Sequence, residues 1–217
     1  RLNVDLVMPH VEPILPSDNV DRNLAQAEDE AAVNEAVNRL SDQYDVLVID
    51  TPGNDSYLSR AGHSHADLLI TPLNDSFVDL DVLAHVDPEN YEIKNLSQYA
   101  QMVFEQKMRR AKRTGDNRTF QWVVLRNRLG QLDSKNQKAM DKAIQGVAQR
   151  VGFSLVPGFS ERVIFRELFL EGLTLLDMRN PGLQRKMSMT HIAARHEVRN
   201  MIQAIGLPVW SDDKGAN

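Results

Sequence analysis

YDVLVIDTPGNDSYLS, Tyr44 to Ser59, is the stretch whose reading decides the fold. Four consecutive apolar residues, Val46 to Ile49, run straight into Asp50 and then Thr51-Pro52-Gly53. A β-branched-rich run without polar alternation predicts a strand buried on both faces, the pattern of a parallel sheet. Asp50 then stands at the strand's carboxyl end, where open α/β sheets bind ligands. Pro52 has no N–H and disfavours helix at Thr51, so the strand ends there. Gly53 has no side chain, so its N–H can come close to a phosphate. Together they lay out a metal-binding carboxylate followed by a phosphate-sensing loop. A strand that ends in a solvated turn explains Pro52 and Gly53 equally well, so these residues alone leave both readings open.

Working outward, the whole chain of 217 residues can bury one substantial core, and its length allows one or two domains. Apolar residues make up 42% and charged residues 25%, ordinary values for a soluble globular protein. A net charge of −5 gives no global sign of nucleic-acid binding, though local basic patches remain possible. There is no cysteine, which excludes disulfides and thiolate metal sites and suits a cytoplasmic protein. No apolar run reaches the roughly 18 residues a membrane span needs, and no signal peptide is visible, so no membrane insertion is expected.

Before the central stretch, Pro9, Pro13 and Pro16 mark an extended connector. Leu24, Ala27, Ala31, Ala36, Val37 and Leu40 then recur at helical spacing and predict an amphipathic helix. After it, Ser56 to Gly62 reads as a short helix and Asp67 to Pro72 as a second buried strand. Asn74-Asp75-Ser76 offers a cap to a helix over FVDLDVLAHV. Asp87-Pro88 and Asn90 to Ser97 read as a loop or insertion, Tyr99 to Arg113 as a helix ending at Gly115. WVVLRNRL, Trp122 to Leu129, is a third buried strand, and Phe153 to Val156 a fourth. Helices are expected over Ser134–Val151, over ERVIFRELFLEG and over Met189–Ile205, the last stopped by Pro208. Phe165, Leu168 and Phe169 are expected in the core. Strands alternating with helices predict an α/β fold, a doubly wound, mostly parallel sheet with helices on both faces.

VLVIDTPGNDSYLS, ADLLITPLNDSFVDLDVL, WVVLRNRL and RVIFRELFLEGLT, in this order and spacing, resemble the ParA/MinD superfamily of deviant-Walker P-loop ATPases. Within it they are most similar to the MipZ type, which positions the bacterial division plane. The similarity runs from about Asp45 to Leu207. DTPG is shared by many P-loop proteins; TPLNDSFVDLDVL with VVLRNRL is far more specific. The resemblance implies ATP and Mg²⁺ as cofactors. It makes Asp50 the Walker-B carboxylate acting on Mg²⁺ and the attacking water, and gives Gly53 the γ-phosphate. Thr51 and Pro52 complete that loop. Asn127 and Arg128 would stand at the adenine edge, with Pro157, Gly158 and Phe159 flanking the base. It also implies an ATP-dependent homodimer, nonspecific DNA on the nucleoid, a ParB-type partner and inhibition of FtsZ assembly. The site of action would be the bacterial cytoplasm, nucleoid- or pole-associated.

One departure stands against the family pattern. A phosphate-binding loop reads G-x-x-x-x-G-K-S/T, and these residues contain no Gly-Lys dipeptide. The reading is therefore a single ATPase domain over 1–210 lacking its N-terminal βα unit, with a disordered tail over 211–217. As it stands the chain is expected to be inactive. A ParA-type partition ATPase and a non-hydrolysing interaction protein remain the alternatives.

Weaker signals lie elsewhere. Lys107, Arg109, Arg110, Lys112 and Arg113 form the densest basic cluster, and Arg195 and Arg199 lie one helical turn apart. They are candidates for DNA phosphates, with a solvated helix face as the alternative. His63 and His65 lack a carboxylate at zinc spacing. Asp79 and Asp81, two apart on a helix, do not face each other.

Overall fold

The computed structural model describes residues 9–87, 89–90, 92–115, 119–130, 135–179 and 188–206. Pro208 and the tail from Ser211 lie outside the described residues. Among the described residues, the α-helices and strands follow in chain order: α1 (Arg22–Ser41), α2 (Tyr57–His65), β1 (Leu68–Asn74), α3 (Phe77–Leu80), β2 (Ala84–Val86), β3 (Ile93–Leu96), α4 (Gln98–Thr114), β4 (Gln121–Asn127), α5 (Lys135–Val151), β5 (Ser154–Val156), α6 (Val163–Leu170) and α7 (Met189–Ala204). The fold is α/β with a parallel sheet, as the sequence predicts. The chain divides into two compact units, one of residues 10–69 with 81–122, the other of 1–9, 70–80 and 123–217.

Most of the three-stranded sheet, in the order β1-β4-β5, belongs to the second unit. β4 is central, and Val123 and Val124 are fully buried, which explains its unbroken apolar run. It pairs in parallel with β5, Val123 opposite Ser154 and Leu125 opposite Val156. β1 differs from the expected two-sided burial: its residues alternate, Leu69, Thr71 and Leu73 in and Ile70 out. Pro72 does not end it. Among the described residues β1 lies at the sheet's edge, where a proline is tolerated because its missing N–H has no strand to bond. Met140, Ile144, Val147 and Val151 line the buried face of α5 at the predicted spacing. α6 buries Ile164 and Leu168 against Leu173, Leu175, Met178 and Ala194. Phe169, expected in the core, is 79% exposed, because one residue along a helix turns it about 100° away from Leu168.

In the first unit, α2 packs on both α1 and α4. Ser56 caps α2, its side chain accepting from the Ser59 N–H, and Ser97 caps α4, which ends at Gly115 with φ 69°. α1 forms as predicted, but its inward stripe is Asp29, Val33 and Ala36; Leu24, Ala27 and Ala31 face solvent. Asp29 tolerates burial because it accepts the Ser17 N–H at 2.7 Å. The helix expected over FVDLDVLAHV stops at Leu80. Its second half enters an antiparallel hairpin instead, Ala84 opposite Leu96 and His85 opposite Asn95, which satisfies backbone groups in the stretch read as a loop.

The largest correction falls on the central stretch. Val46 to Ile49 form no strand, and Val48 is 88% exposed. Among the described residues no strand pairs with this segment. Stability measurements separate this placement from a buried strand. Val124→Ala should cost about 2 kcal/mol in urea denaturation, whereas Val48→Ala should stay within about 0.5 kcal/mol of the parent.

Candidate functional site

The predicted site residues fall in both units: Asp50 to Gly53 in the first, Asn127, Arg128 and Pro157 to Phe159 in the second. Each group is built locally.

Asp50 and Gly53 are exposed, and a Cβ on Gly53 would meet nothing within 4 Å. Nothing in the fold demands glycine there; room beside its backbone is the only feature it contributes. The loop is fastened by α2. Ser59 is buried, and its Oγ donates to the Asn54 carbonyl at 3.1 Å, with the Pro52 carbonyl at 3.4 Å. A Cβ on Gly62 would lie 3.1 Å from Ile49 Cγ2 and 3.2 Å from Thr51 Cγ2. Arg60 reaches back to Asp55 with two nitrogens, at 2.7 and 2.8 Å. Ser59, Arg60 and Gly62 were not singled out by sequence reasoning. A glycine inside a helix, which costs about 1 kcal/mol against alanine, was the available signal of a close approach.

At the carboxyl end of β4, the chain after β5 continues alongside. Phe159 N donates to the Arg126 carbonyl at 2.9 Å, Leu129 N to the Phe159 carbonyl at 2.9 Å, and Glu161 N to the Leu129 carbonyl at 3.1 Å. This brings Asn127, Arg128 and Phe159 together as walls of an open cleft of about 630 Å³, lined also by Phe165 and Phe169 of α6. The Phe159 and Phe165 rings meet edge-on, centroids 5.8 Å apart. Arg128 has φ 54°, a left-handed conformation that costs a non-glycine residue about 1–2 kcal/mol. Its N–H donates to the Asn127 side-chain oxygen at 3.0 Å, which orients that amide. Gly158 answers to the backbone: a Cβ there would sit 2.1 Å from the Arg126 carbonyl oxygen.

Two ion-pair sets brace this region. Arg126 binds Asp75 and Asp141, with its side chain and that of Asp75 only 13% and 14% exposed. Glu197 of α7 accepts from Arg162 at 2.7 Å and from the Ser160 hydroxyl at 2.8 Å. Burial pushes the Glu197 carboxyl up, but these hydrogen bonds outweigh it and hold it below the usual range.

The basic cluster on α4 is largely engaged inside the first unit. Arg109 pairs with Glu30 of α1; Arg110 binds Asp67 at 2.5 Å and the His65 carbonyl at 2.9 Å. Arg113 donates to the Ser64 carbonyl at 2.7 Å, and Lys107 lies 5.7 Å from the Phe120 and Trp122 ring centres. Lys112 is exposed, while Arg195 and Arg199 are half-buried on α7. Burial, then Arg113 and Arg110, push the His65 imidazole down to about 4. His63 Nδ1 lies within hydrogen-bond distance of Met102 Sδ at 3.3 Å, and burial lowers its pKa too. Asp79 accepts from the Asn74 N–H and Asp81 from His85, so the two carboxylates have separate structural partners.

With this geometry in hand, comparison with known proteins gave the following. The profile of the family described as ATPase MipZ matches residues 1–209. A variant of McdA from Cyanothece in complex with ATP aligns over 81% of this chain and 60% of its own, at 16% identity and a TM-score of 0.51. Apo McdA aligns over 81% and 62%, at 16% identity and a TM-score of 0.48. The chain thus spans 60% to 62% of the length of these structures, and a likeness at 16% identity speaks for the fold alone. Comparison with curated proteins gave no match.

Two measurements check the site's construction. Gly158→Ala forces a side chain against a carbonyl that cannot move without breaking β4, and should destabilise by about 3 kcal/mol in urea denaturation. The unfolded chain protonates His65 near its ordinary value of 6.5, the folded one only near 4. Unfolding therefore takes up a proton between those values, and stability should fall as pH drops from 6.5 to 4. His65→Gln should flatten that fall in a series of Tm measurements.

Proposed function

The chain belongs to the MipZ family of ATPases, and from that premise we propose that the protein is an ATP-dependent switch that positions the division plane. The single observation that supports the nucleotide reading best is the cleft at the end of β4. Its volume falls in the roughly 300–1,000 Å³ of small-molecule sites. Phenylalanine rings offer apolar faces to a purine, and the oriented Asn127 amide carries both a donor and an acceptor for its edge. Phe159 then flanks the base; Pro157 and Gly158 do not line the cleft, and Gly158 serves by letting the chain lie against β4. Arg128 stands at the rim.

Asp50 and the Thr51-Pro52-Gly53 loop are assigned to the phosphates. A magnesium ion is commonly held by one or two carboxylates together with substrate phosphates, so a single exposed aspartate suffices. No group of three or more His, Asp or Glu forms a metal cage among the described residues. ATP supplies the phosphoryl group whose hydrolysis resets the switch. Asp50 orients the attacking water, and the Gly53 N–H meets the γ-phosphate. Slow hydrolysis times a monomer–dimer cycle; the dimer associates with DNA and a ParB-type partner and blocks FtsZ assembly in the cytoplasm. DNA contact falls to Lys112, Arg109, Arg110, Arg113, Arg195 and Arg199, of which Arg109, Arg110 and Arg113 would have to exchange the internal partners described above.

Titration calorimetry with ATP and Mg²⁺, on the 217-residue chain and on a version extended upstream through a phosphate-binding loop, is the test. Binding by the extended form, weakened about tenfold by Asn127→Ala, is the expected result, and Asp50→Ala should accumulate nucleotide-bound dimers. No binding by either form sinks the ATPase reading and leaves a protein-interaction fold. An FtsZ assembly assay separates division control from ParA-type partitioning.

A further inference from the structure

The loop that follows Asp50 is tied by one guanidinium, with two bonds to the loop and a third to α4. Arg60, in the first turn of α2, grips Asp55 as a fork: Nε donates to Oδ1 at 2.7 Å and Nη2 to Oδ2 at 2.8 Å. Its remaining nitrogen, Nη1, donates to Glu105 Oε2 on α4 at 2.7 Å. Loop, α2 and α4 all belong to the first unit. The geometry suits arginine alone. A planar guanidinium presents two nitrogens to one carboxylate and a third to another, whereas an ammonium is a single point charge. The fork holds the Asp55 carboxyl below its usual range, with burial opposing weakly.

Ser59 and Gly62 of the same helix already fix the loop's inner side, through the Asn54 carbonyl and through contact with Thr51. Arg60 fixes its outer end. The three side chains remain solvent-accessible, Arg60 at 31%, Asp55 at 55% and Glu105 at 60%. The link can therefore be broken from outside without unpacking the core.

We propose that Arg60 is a positioning residue for the Asp50–Asp55 loop, with Glu105 on the exposed face of α4 as its outer anchor. The proposal rests on reading that loop as the phosphate-sensing segment. It gives the fold a route from the α4 surface to the loop: a cationic surface that draws Glu105 away from Arg60 loosens the loop without touching it. The sequence hides this link, because Arg60 and Glu105 lie 45 residues apart.

Amide hydrogen exchange on the 217-residue chain, read in peptides covering residues 53–60, tests it without nucleotide. Arg60→Gln should speed loop exchange about fivefold and Glu105→Gln about twofold, the range expected of exposed ion pairs. Arg60→Lys should recover only part of the protection. Peptides of α7 should be unchanged in all variants. Unchanged loop exchange in Arg60→Gln or an equal rise in α7 would each overturn the assignment. In a form that hydrolyses ATP, Arg60→Gln should lower kcat with ATP affinity little changed; an unaltered kcat would also overturn it. Absence of hydrolysis in the parent would count against the ATPase reading instead, and the exchange data would still decide the positioning role.

Discussion

The contact on which the second unit depends is the close approach of the chain after β5 to the end of β4. Three backbone hydrogen bonds carry the pairing from Arg126 to Glu161, beyond both strands. They require that residue 158 have no Cβ, since 2.1 Å to a carbonyl oxygen leaves no space for one. Because the backbones touch, the side chains on either side of Gly158 are placed by main-chain geometry and not by their own packing. Phe159 is delivered beside Asn127, and the Arg128 backbone takes up the left-handed turn that closes the site. The ion pairs of Arg126 and Glu197 then brace the same junction from neighbouring elements. The floor of the cleft is backbone, and its rim carries the exposed side chains of Phe169 and Arg128.

The first unit solves a different problem, holding an irregular loop still without a sheet beneath it. α2 does so with small side chains on one face and a long one at the end. Ser59 is buried because its hydroxyl takes the place of a strand partner for the Asn54 carbonyl. Gly62 lets the helix axis come close to Ile49 and Thr51. A leucine at either position would push the loop away, and a charged residue would leave its carbonyls unpaired.

How far this was legible in the sequence follows from the kind of force involved. β4, α4, α5 and α7 have long periodic or continuous apolar patterns, and burial alone determines them. The stop of α4 at Gly115 is local chemistry and could be read directly. Val46 to Ile49 carry the same apolar pattern as β4, yet a strand is a property of a pair. Hydrophobicity specifies what a strand would bury, not whether a neighbour is present to bond it. The hairpin of β2 and β3 was missed for the converse reason. Its partners are short, polar and separated by an irregular turn, so no periodicity announces them. In the cleft, Asn127 and Phe159 could be named from the resemblance, but the αL turn at Arg128 and the contact at Gly158 exist only in the assembled backbone.

The basic run on α4 shows why charge density alone does not define a nucleic-acid footprint. Arg110 is 13% exposed, although the Asp67 carboxylate beside it is 94% exposed. An ion pair with one partner so well solvated contributes about 1 kcal/mol or less. What confines the guanidinium is its second contact, with the His65 carbonyl at the end of α2. Arg113 does the same for the Ser64 carbonyl. Both carbonyls belong to the last turn of a helix, where acceptors lack intrahelical donors and the dipole favours cations. The two arginines thus serve as a C-terminal cap supplied from another helix. Their field, added to burial, keeps His65 neutral at ordinary pH, so the cluster carries no additional positive charge from that ring. For a phosphate backbone to recruit Arg110 or Arg113, it must replace a carbonyl as well as screen a carboxylate, and α2 would lose its cap in the exchange. Lys112, exposed on the same helix, faces no such competition from the described contacts. A DNA-binding role for α4 is therefore coupled, through α2, to the stability of the loop that follows Asp50.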